Sequence, residues 1–286
     1  FQAEDGIRDS VASRGLGDVY KRQVDKDYII ESILAGAVIN MDGVMPPALT
    51  SWVSPVQGVL AECNGMNFEE RWNKSVSILQ DAGWQADDWG SHPGGAERAI
   101  APTNLRGPNG EAMPSDMLLY APSAGYDPIR STFSLFIADW MQQLGIDAVA
   151  RPTGFSIIVD LILDPETCDE WFMYMLGWGL TPYPDHVVSF FETDADACAG
   201  GLNTPGYSNP VYDALAAEFE AAKTVGEAQV ISKQMETILF EDLPYLVLFT
   251  PPLIEAYRSN VEFPYTEVLG AMSNLYGLPG SVKVSK

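Results

Sequence analysis

"DMLLYAPSAGYDPIRSTFSLFIADWMQQLGIDAVAR", residues 116–151, sets the fold class. Its opening "DMLLYAP" is a short apolar run bounded by a polar residue and turn formers, the pattern of a buried strand. Asp127 then stands at a helix N-cap, Pro128 takes the first helical position, and Gly145 supplies the stop. "IDAVAR" reads as the next strand. Strand, long helix and strand in this order predict a parallel α/β unit, because parallel neighbours need a crossover connection.

On the N-terminal side, "VDKDYIIESILAG" predicts a helix that Asp25 caps and Gly36 ends, with Ile29, Ile30, Ile33 and Leu34 on one apolar face. A Gly/Pro loop, "NMDGVMPPALTSW", leads to a second amphipathic helix, "NFEERWNKSVSILQDAGW", carrying Phe68, Trp72, Val76 and Leu79. Residues 85–115 are polar and rich in Gly and Pro, so a loop or ragged hairpin is expected there. On the C-terminal side, "GFSIIVDLIL" predicts a short helix and "DEWFMYMLGW" a central strand. A long loop then precedes helices over 209–223, with Asn209 as cap, and over 226–241. "LPYLVLFTPPLIEAYRS" reads as two extended segments split by Pro251-Pro252, and 262–286 shows no strong pattern.

The net charge of −23 argues against nucleic acid and anionic lipid as partners. Hydrophobic content of 47% is ample for a packed core, so disorder is excluded. No apolar run reaches transmembrane length. Cys63, Cys168 and Cys198 lack metal-ligand spacing; one disulfide plus a free thiol and three buried thiols both stay open. With only His92 and His186, a histidine-rich metal site is not expected, and no motif points to a cofactor.

Residues 1–23, "FQAEDGIRDSVASRGLGDVYKRQ", differ from everything that follows. Four bases (Arg8, Arg14, Lys21, Arg22) balance four acids (Glu4, Asp5, Asp9, Asp18), and apolar side chains follow no helical or strand spacing. "AEDGIRDS" and "SRGLGDVYKRQ" resemble the translation of sequencing-adapter read-through. The segment is therefore expected to be an unstructured leader, with the authentic reading frame from about Val24 and its true start lost.

The words "VDKDYIIESILAG", "VMPPALTSW", "LQDAGW", "QQLGIDAV", "WFMYMLGW", "YSNPVYDALAAEFEAA" and "LFEDLPYLVLF" together resemble the extracellular solute-binding proteins of family 5. These are the dipeptide, oligopeptide, nickel and oligosaccharide receptors of ABC importers, and the words run in the family's order over nearly all of 24–260. The resemblance implies a periplasmic-binding-protein type II-like α/β fold, in which two lobes close over a ligand and one lobe is inserted into the other. Residues 24–246 then correspond to the second lobe, and 247–286 to the return segment of an incomplete first lobe. It also implies a periplasmic or extracellular monomer, lipid-anchored in some members, that delivers a small-molecule or oligomeric solute to ABC transporter permease subunits.

Candidate ligand residues follow from the loop after "MYMLGW". Trp178 ends an apolar strand, where ligands lie in open α/β sheets; a core-capping role competes, and the resemblance favours stacking on the solute. In the peptide receptors an aspartate three residues after this tryptophan grips the peptide's amino terminus. Thr181 holds that position here and brings no charge. Asp185 is the nearby carboxylate able to substitute, and Tyr183 adds a ring and a hydroxyl. This set suits a sugar or another uncharged polar solute better than a free peptide amino terminus. Trp52 and Tyr207 are, like Tyr183, aromatic candidates for which a structural role is the commoner reading, and Trp171 and Tyr174 alternate on the expected strand as candidates for the core. Arg151 is a candidate for a carboxylate ligand, with a surface ion pair as the alternative. The acidic run at 192–200 lacks the spacing of a calcium loop. No hydrolase motif occurs, so the rival class, a secreted hydrolase using a carboxylate pair, rests on acid content alone.

Overall fold

The computed structural model describes residues 19, 22–55, 62–63, 65–95, 97–168, 171–181, 183–252, 258–262 and 283–284. In chain order these contain a π-helical segment at Tyr28–Ile33, β1 (Ile39–Asn40), α1 (Phe68–Asp81), β2 (Met117–Pro122), α2 (Pro128–Gln142), β3 (Ala148–Thr153), α3 (Phe155–Leu163) and β4 (Met173–Tyr174). They continue with α4 (His186–Ser189), α5 (Pro210–Ala221), α6 (Val225–Asp242), β5 (Phe249–Thr250), β6 (Val261–Glu262) and β7 (Lys283–Val284).

The expected α/β unit is present. Met117 through Pro122 pair in parallel with Ala148 through Thr153, and α2 crosses between the two strands. Asp127 accepts from the Arg130 amide at 2.9 Å, Pro128 opens the helix, and Gly145 takes a positive φ of 79° beyond its end. One face of α2 buries Phe133, Ile137, Trp140 and Met141 against β2 and β3, while Trp72 of α1 donates its indole N–H to the Gln143 carbonyl at 2.8 Å. A capping box of Asn67 and Glu70 fixes the start of α1. Antiparallel bridges at Gln85↔Arg106, Asp88↔Thr103 and Ser91↔Ile100 make residues 85–106 the ragged hairpin.

Two expectations are corrected in detail. The segment 28–33 is π-helical rather than α-helical; Asp25 still caps it, accepting from the Tyr28 amide at 3.0 Å. "DEWFMYMLGW" is not a central strand. The sheet order is β3–β2–β4, so β2 is central, and β4 is a two-residue edge strand. Its apolarity has another cause: Trp171 turns onto Tyr174 (ring centroids 4.9 Å apart) and packs with Ile158 and Ile162 of α3.

A second cluster joins α4, α5 and α6 through Trp52, Phe191, Tyr212, Phe219 and Met235. The Tyr212 hydroxyl donates to the Val187 carbonyl at 2.5 Å. Cys168 and Cys198 form a disulfide that ties the end of α3 to the loop beyond α4, and Cys63 is a buried free thiol. The alternatives left open for the cysteines resolve to one bridge and one thiol.

Of residues 1–23, Val19, Arg22 and Gln23 are described, and all three are buried against α1. Ser75 donates to the Val19 carbonyl at 3.3 Å, and Arg71 to that of Arg22 at 3.1 Å. The unpacked stretch expected over 1–23 therefore does not reach its last residues. Past residue 246, β5 pairs with β1, and the Phe249 ring stacks on Phe133 with centroids 4.7 Å apart. The first adapter-like word, the second up to residue 18 together with residues 20 and 21, and most of 253–286 lie outside the described residues.

Candidate functional site

The carboxyl ends of β2, β3 and β4 lie side by side, and three loops leave from them. After β2, the amides of Tyr126 and Asp127 both donate to the Ser123 carbonyl, at 2.9 and 2.8 Å, while the Ser123 amide donates to Thr153 at the end of β3. This tight turn leaves Tyr126 66% exposed. After β3, Gly154 starts α3 and sets Phe155 beside Tyr126, with ring centroids 5.5 Å apart and planes at 34°. Two neighbouring exposed rings at the open end of a parallel sheet form a platform for a flat or apolar group.

Arg130 stands one turn into α2. Its guanidinium pairs with Asp127, and its Cζ lies 5.7 Å from the centre of the Phe249 ring. It also lies against Gly177, at the exit from β4, where any Cβ would collide with it. Glycine at 177 thus lets a cation sit over the strand end. The pair is neutral overall, and the guanidinium keeps further N–H donors at the strand ends.

Trp178 follows directly. It is half-buried and rests on Phe190, 4.6 Å between centroids. The Thr181 hydroxyl carries one proton, shared within its own loop between the Tyr183 carbonyl at 2.5 Å and the more distant Asp185 carboxylate at 3.2 Å. Tyr183 is 44% exposed and leans on Trp52 and Phe219, each 5.4 Å away. Asp185 is exposed at the start of α4. Thr181, Tyr183 and Asp185 therefore form one hydrogen-bonded turn, and Gly177-Trp178 links that turn to the Arg130 pair.

The remaining candidates have structural partners or lie apart. Tyr174, Thr204 and Tyr245 join their hydroxyls in a closed triangle, and burial raises the pKa of both phenols. Tyr207 donates to Asp242 at 2.6 Å. Trp52 and Trp171 are buried, and Arg151 is exposed on β3. In the acidic run, Asp196 caps the turn that carries Cys198, and among the described residues no group of three or more potential ligands could hold a metal ion. Sequence reasoning missed Tyr126, Arg130 and Phe155. The available signal was "YDPIR": an arginine three positions after a helix cap, at the end of a strand.

Beside the loop, His186 is 4% exposed and its Nε2–H faces the Val44 carbonyl at 3.1 Å. Burial lowers its pKa, against the opposing pull of that carbonyl and of Asp185. The unfolded chain therefore takes up the proton first. The contribution of His186 to stability is fully present above about pH 6.5 and is lost as pH falls through and below that value. Urea midpoints at pH 7 and pH 5.5 should show this fall, and His186→Gln should flatten it; equal slopes in the two proteins would assign the acid sensitivity elsewhere.

No protein-family model matches the chain, and no curated protein sequence matches it. Solved structures do. The oligopeptide-binding protein AppA of Bacillus subtilis, in complex with a nonapeptide, superposes with a TM-score of 0.69 at 17% identity, over 98% of this chain and 49% of that one. NikZ of Campylobacter jejuni, in complex with Ni(L-His), gives 0.62 at 17% identity, over 88% and 44%. The ABC transporter-associated periplasmic binding protein DppA of Helicobacter pylori, in complex with the peptide STSA, gives 0.65 at 16% identity, over 97% and 45%. Among the described residues no helix is long and apolar enough to cross a membrane. The chain has the α/β fold of the type II substrate-binding proteins, and it spans about half the length of the solved chains it matches.

Proposed function

We propose that the chain captures a polar solute of the peptide class as part of the receptor of an ABC importer. The observation that carries this reading is the exposed Tyr126–Phe155 pair beside Arg130 at the carboxyl ends of three parallel strands. Rings for side chains, a guanidinium for a carboxylate and Asp185 for an ammonium together fit a zwitterionic peptide. In this reading Asp185, held by Thr181, takes the part of the carboxylate that position 181 lacks, and Trp178 and Tyr183 complete the wall. The solved neighbours hold a nonapeptide, the peptide STSA and Ni(L-His), which favours a peptide over an oligosaccharide. Binding shifts the receptor toward a state closed between two lobes, which docks as a monomer on the permease subunits. The Cys168–Cys198 bridge agrees with a periplasmic or extracellular setting, since such bonds persist in oxidising compartments.

The test is a titration of the chain with short peptides and with oligosaccharides of similar length, followed by tryptophan fluorescence and by mass spectrometry of the added ligand. A peptide should bind saturably and come back intact. Tyr126→Ala and Phe155→Ala should each weaken it by roughly 3–10-fold, and Asp185→Asn by about tenfold, with unchanged melting temperatures. Cleaved peptide would instead support the hydrolase with a carboxylate pair, and saturable binding of the oligosaccharide alone would overturn the solute class.

A further inference from the structure

The hydroxyl triangle behind β4 has a fourth member. Tyr174 and Thr204 approach at 2.5 Å, Tyr174 and Tyr245 at 3.0 Å, and Thr204 and Tyr245 at 2.8 Å. Each hydroxyl carries one proton, and around a closed ring each donates to the next. Tyr245 therefore accepts once and donates once within the ring, which leaves it a lone pair. The Trp178 indole N–H donates to that hydroxyl. An indole nitrogen can only donate, so the direction of this bond is fixed. Every proton of the network then has an acceptor inside it.

Each hydroxyl is held from a different part of the chain. Tyr174 ends β4 and meets the Trp171 ring at 4.9 Å. Thr204 is 3% exposed and follows Asn203, whose side chain donates to the Glu192 and Tyr207 carbonyls at 2.9 and 2.8 Å. Tyr245 lies just beyond α6, with its ring edge-on to Phe191 at 5.2 Å. The acceptor offered to Trp178 is thus a fixed point. Burial raises the pKa of both phenols, so the hydroxyls keep their protons through the neutral range.

The face of Trp178 lies on Phe190, 4.6 Å between centroids with planes at 40°. That contact alone would let the indole turn about its last torsion, whose energy well is broad. A hydrogen bond at the Nε1 edge removes the rotation and leaves one face of the ring toward the strand-end loop. We propose that Tyr245 is a positioning residue, whose hydroxyl, set by Tyr174 and Thr204, fixes the plane of Trp178 in the wall of the solute site. Its effect on binding rests on the place proposed above for Trp178; the orientation of the ring does not.

The test is nitrogen-15 NMR of the intact chain, reading the indole N–H signals, with that of Trp178 identified by its loss in Trp178→Phe. Tyr245→Phe should move this signal upfield and speed its exchange with solvent. Thr204→Val, which leaves Tyr245 in place, should move it the same way by less. The signals of Trp72, Trp84 and Trp140, in the first hydrophobic cluster, should stay and so report that the fold is kept. Calorimetric titration with the tetrapeptide STSA gives the second readout. Tyr245→Phe should weaken binding by roughly 3–10-fold, the net worth of one hydrogen bond, and in the Trp178→Phe background the same substitution should change nothing. A Trp178 signal that Tyr245→Phe leaves unmoved would overturn the proposal, and so would an equal loss of affinity in both backgrounds. If the wild type does not bind STSA, it is the choice of solute that fails, and the indole signal alone decides for or against the fixed ring.

Discussion

Replacing Cys168 and Cys198 together by serine should lower stability by roughly 3–4 kcal/mol, the loop-closure entropy expected for a bridge across a separation of 30 residues. The effect on melting is on the order of 10 °C for a chain of this size. The bridge has this weight because of where it lies. Cys168 follows α3, which covers one end of the sheet, and Cys198 belongs to the loop that leads to α5. Without it the long connection from α3 through α4 keeps the two-residue β4 pairing, hydrogen bonds such as His186–Val44 and Tyr212–Val187, and its side-chain packing. Thermal melts of wild type with and without a reductant should reproduce the double substitution. A melting temperature that reductant leaves unmoved would show that the segment is already ordered in the unfolded ensemble or that the thiols never pair.

Phe133→Ala should cost roughly 3–5 kcal/mol, the range for a large aromatic ring removed from a packed interior. Phe133 has no exposed surface, and it meets Phe249 face to face with planes at 29°. The ring therefore joins the α/β unit to the segment that returns after residue 246. Phe249→Ala should cost less, because that ring is only partly buried. A double-mutant cycle should give a coupling of about 0.5–1.5 kcal/mol between the two rings. Additive losses would mean that Phe249 contributes burial without stacking, and a loss below about 1 kcal/mol for Phe133 would contradict its placement in the core.

The α/β unit was legible because its signals are local. Asp127, Pro128 and Gly145 each act within one turn of helix, and the strand residues need only a buried neighbour. "DEWFMYMLGW" misled because apolar content reports burial and not strand pairing; Trp171 is buried by α3, outside the sheet. The cysteine pairing was unreadable since it depends on two loops meeting, and spacing says nothing of that. For the site, sequence located the loop at 178–185 but not its partners. Exposure of Tyr126 and Phe155 is set by a turn tied to β3, and the collision that fixes Gly177 involves an arginine 47 positions earlier in the chain. Neither relation exists in one dimension.

The pairing of β1 with β5, together with the bond from Lys26 to the Val247 carbonyl, also bears on how the molecule is made. The two ends of that bond are 221 positions apart. At ribosomal speeds of about 5–20 residues per second, the lysine waits roughly 10–45 s for its acceptor to be synthesised. During that interval its ammonium and the edge of β1 stay in water, and the first hydrophobic cluster lacks Leu248 and Phe249. The sheet and α2, built from contacts close in sequence, can form early, whereas closure over β1 must be the late, slow event. The β1–β5 pairing is thus withheld until residue 250 has been synthesised, which keeps the intervening segment pliable while it is being extended.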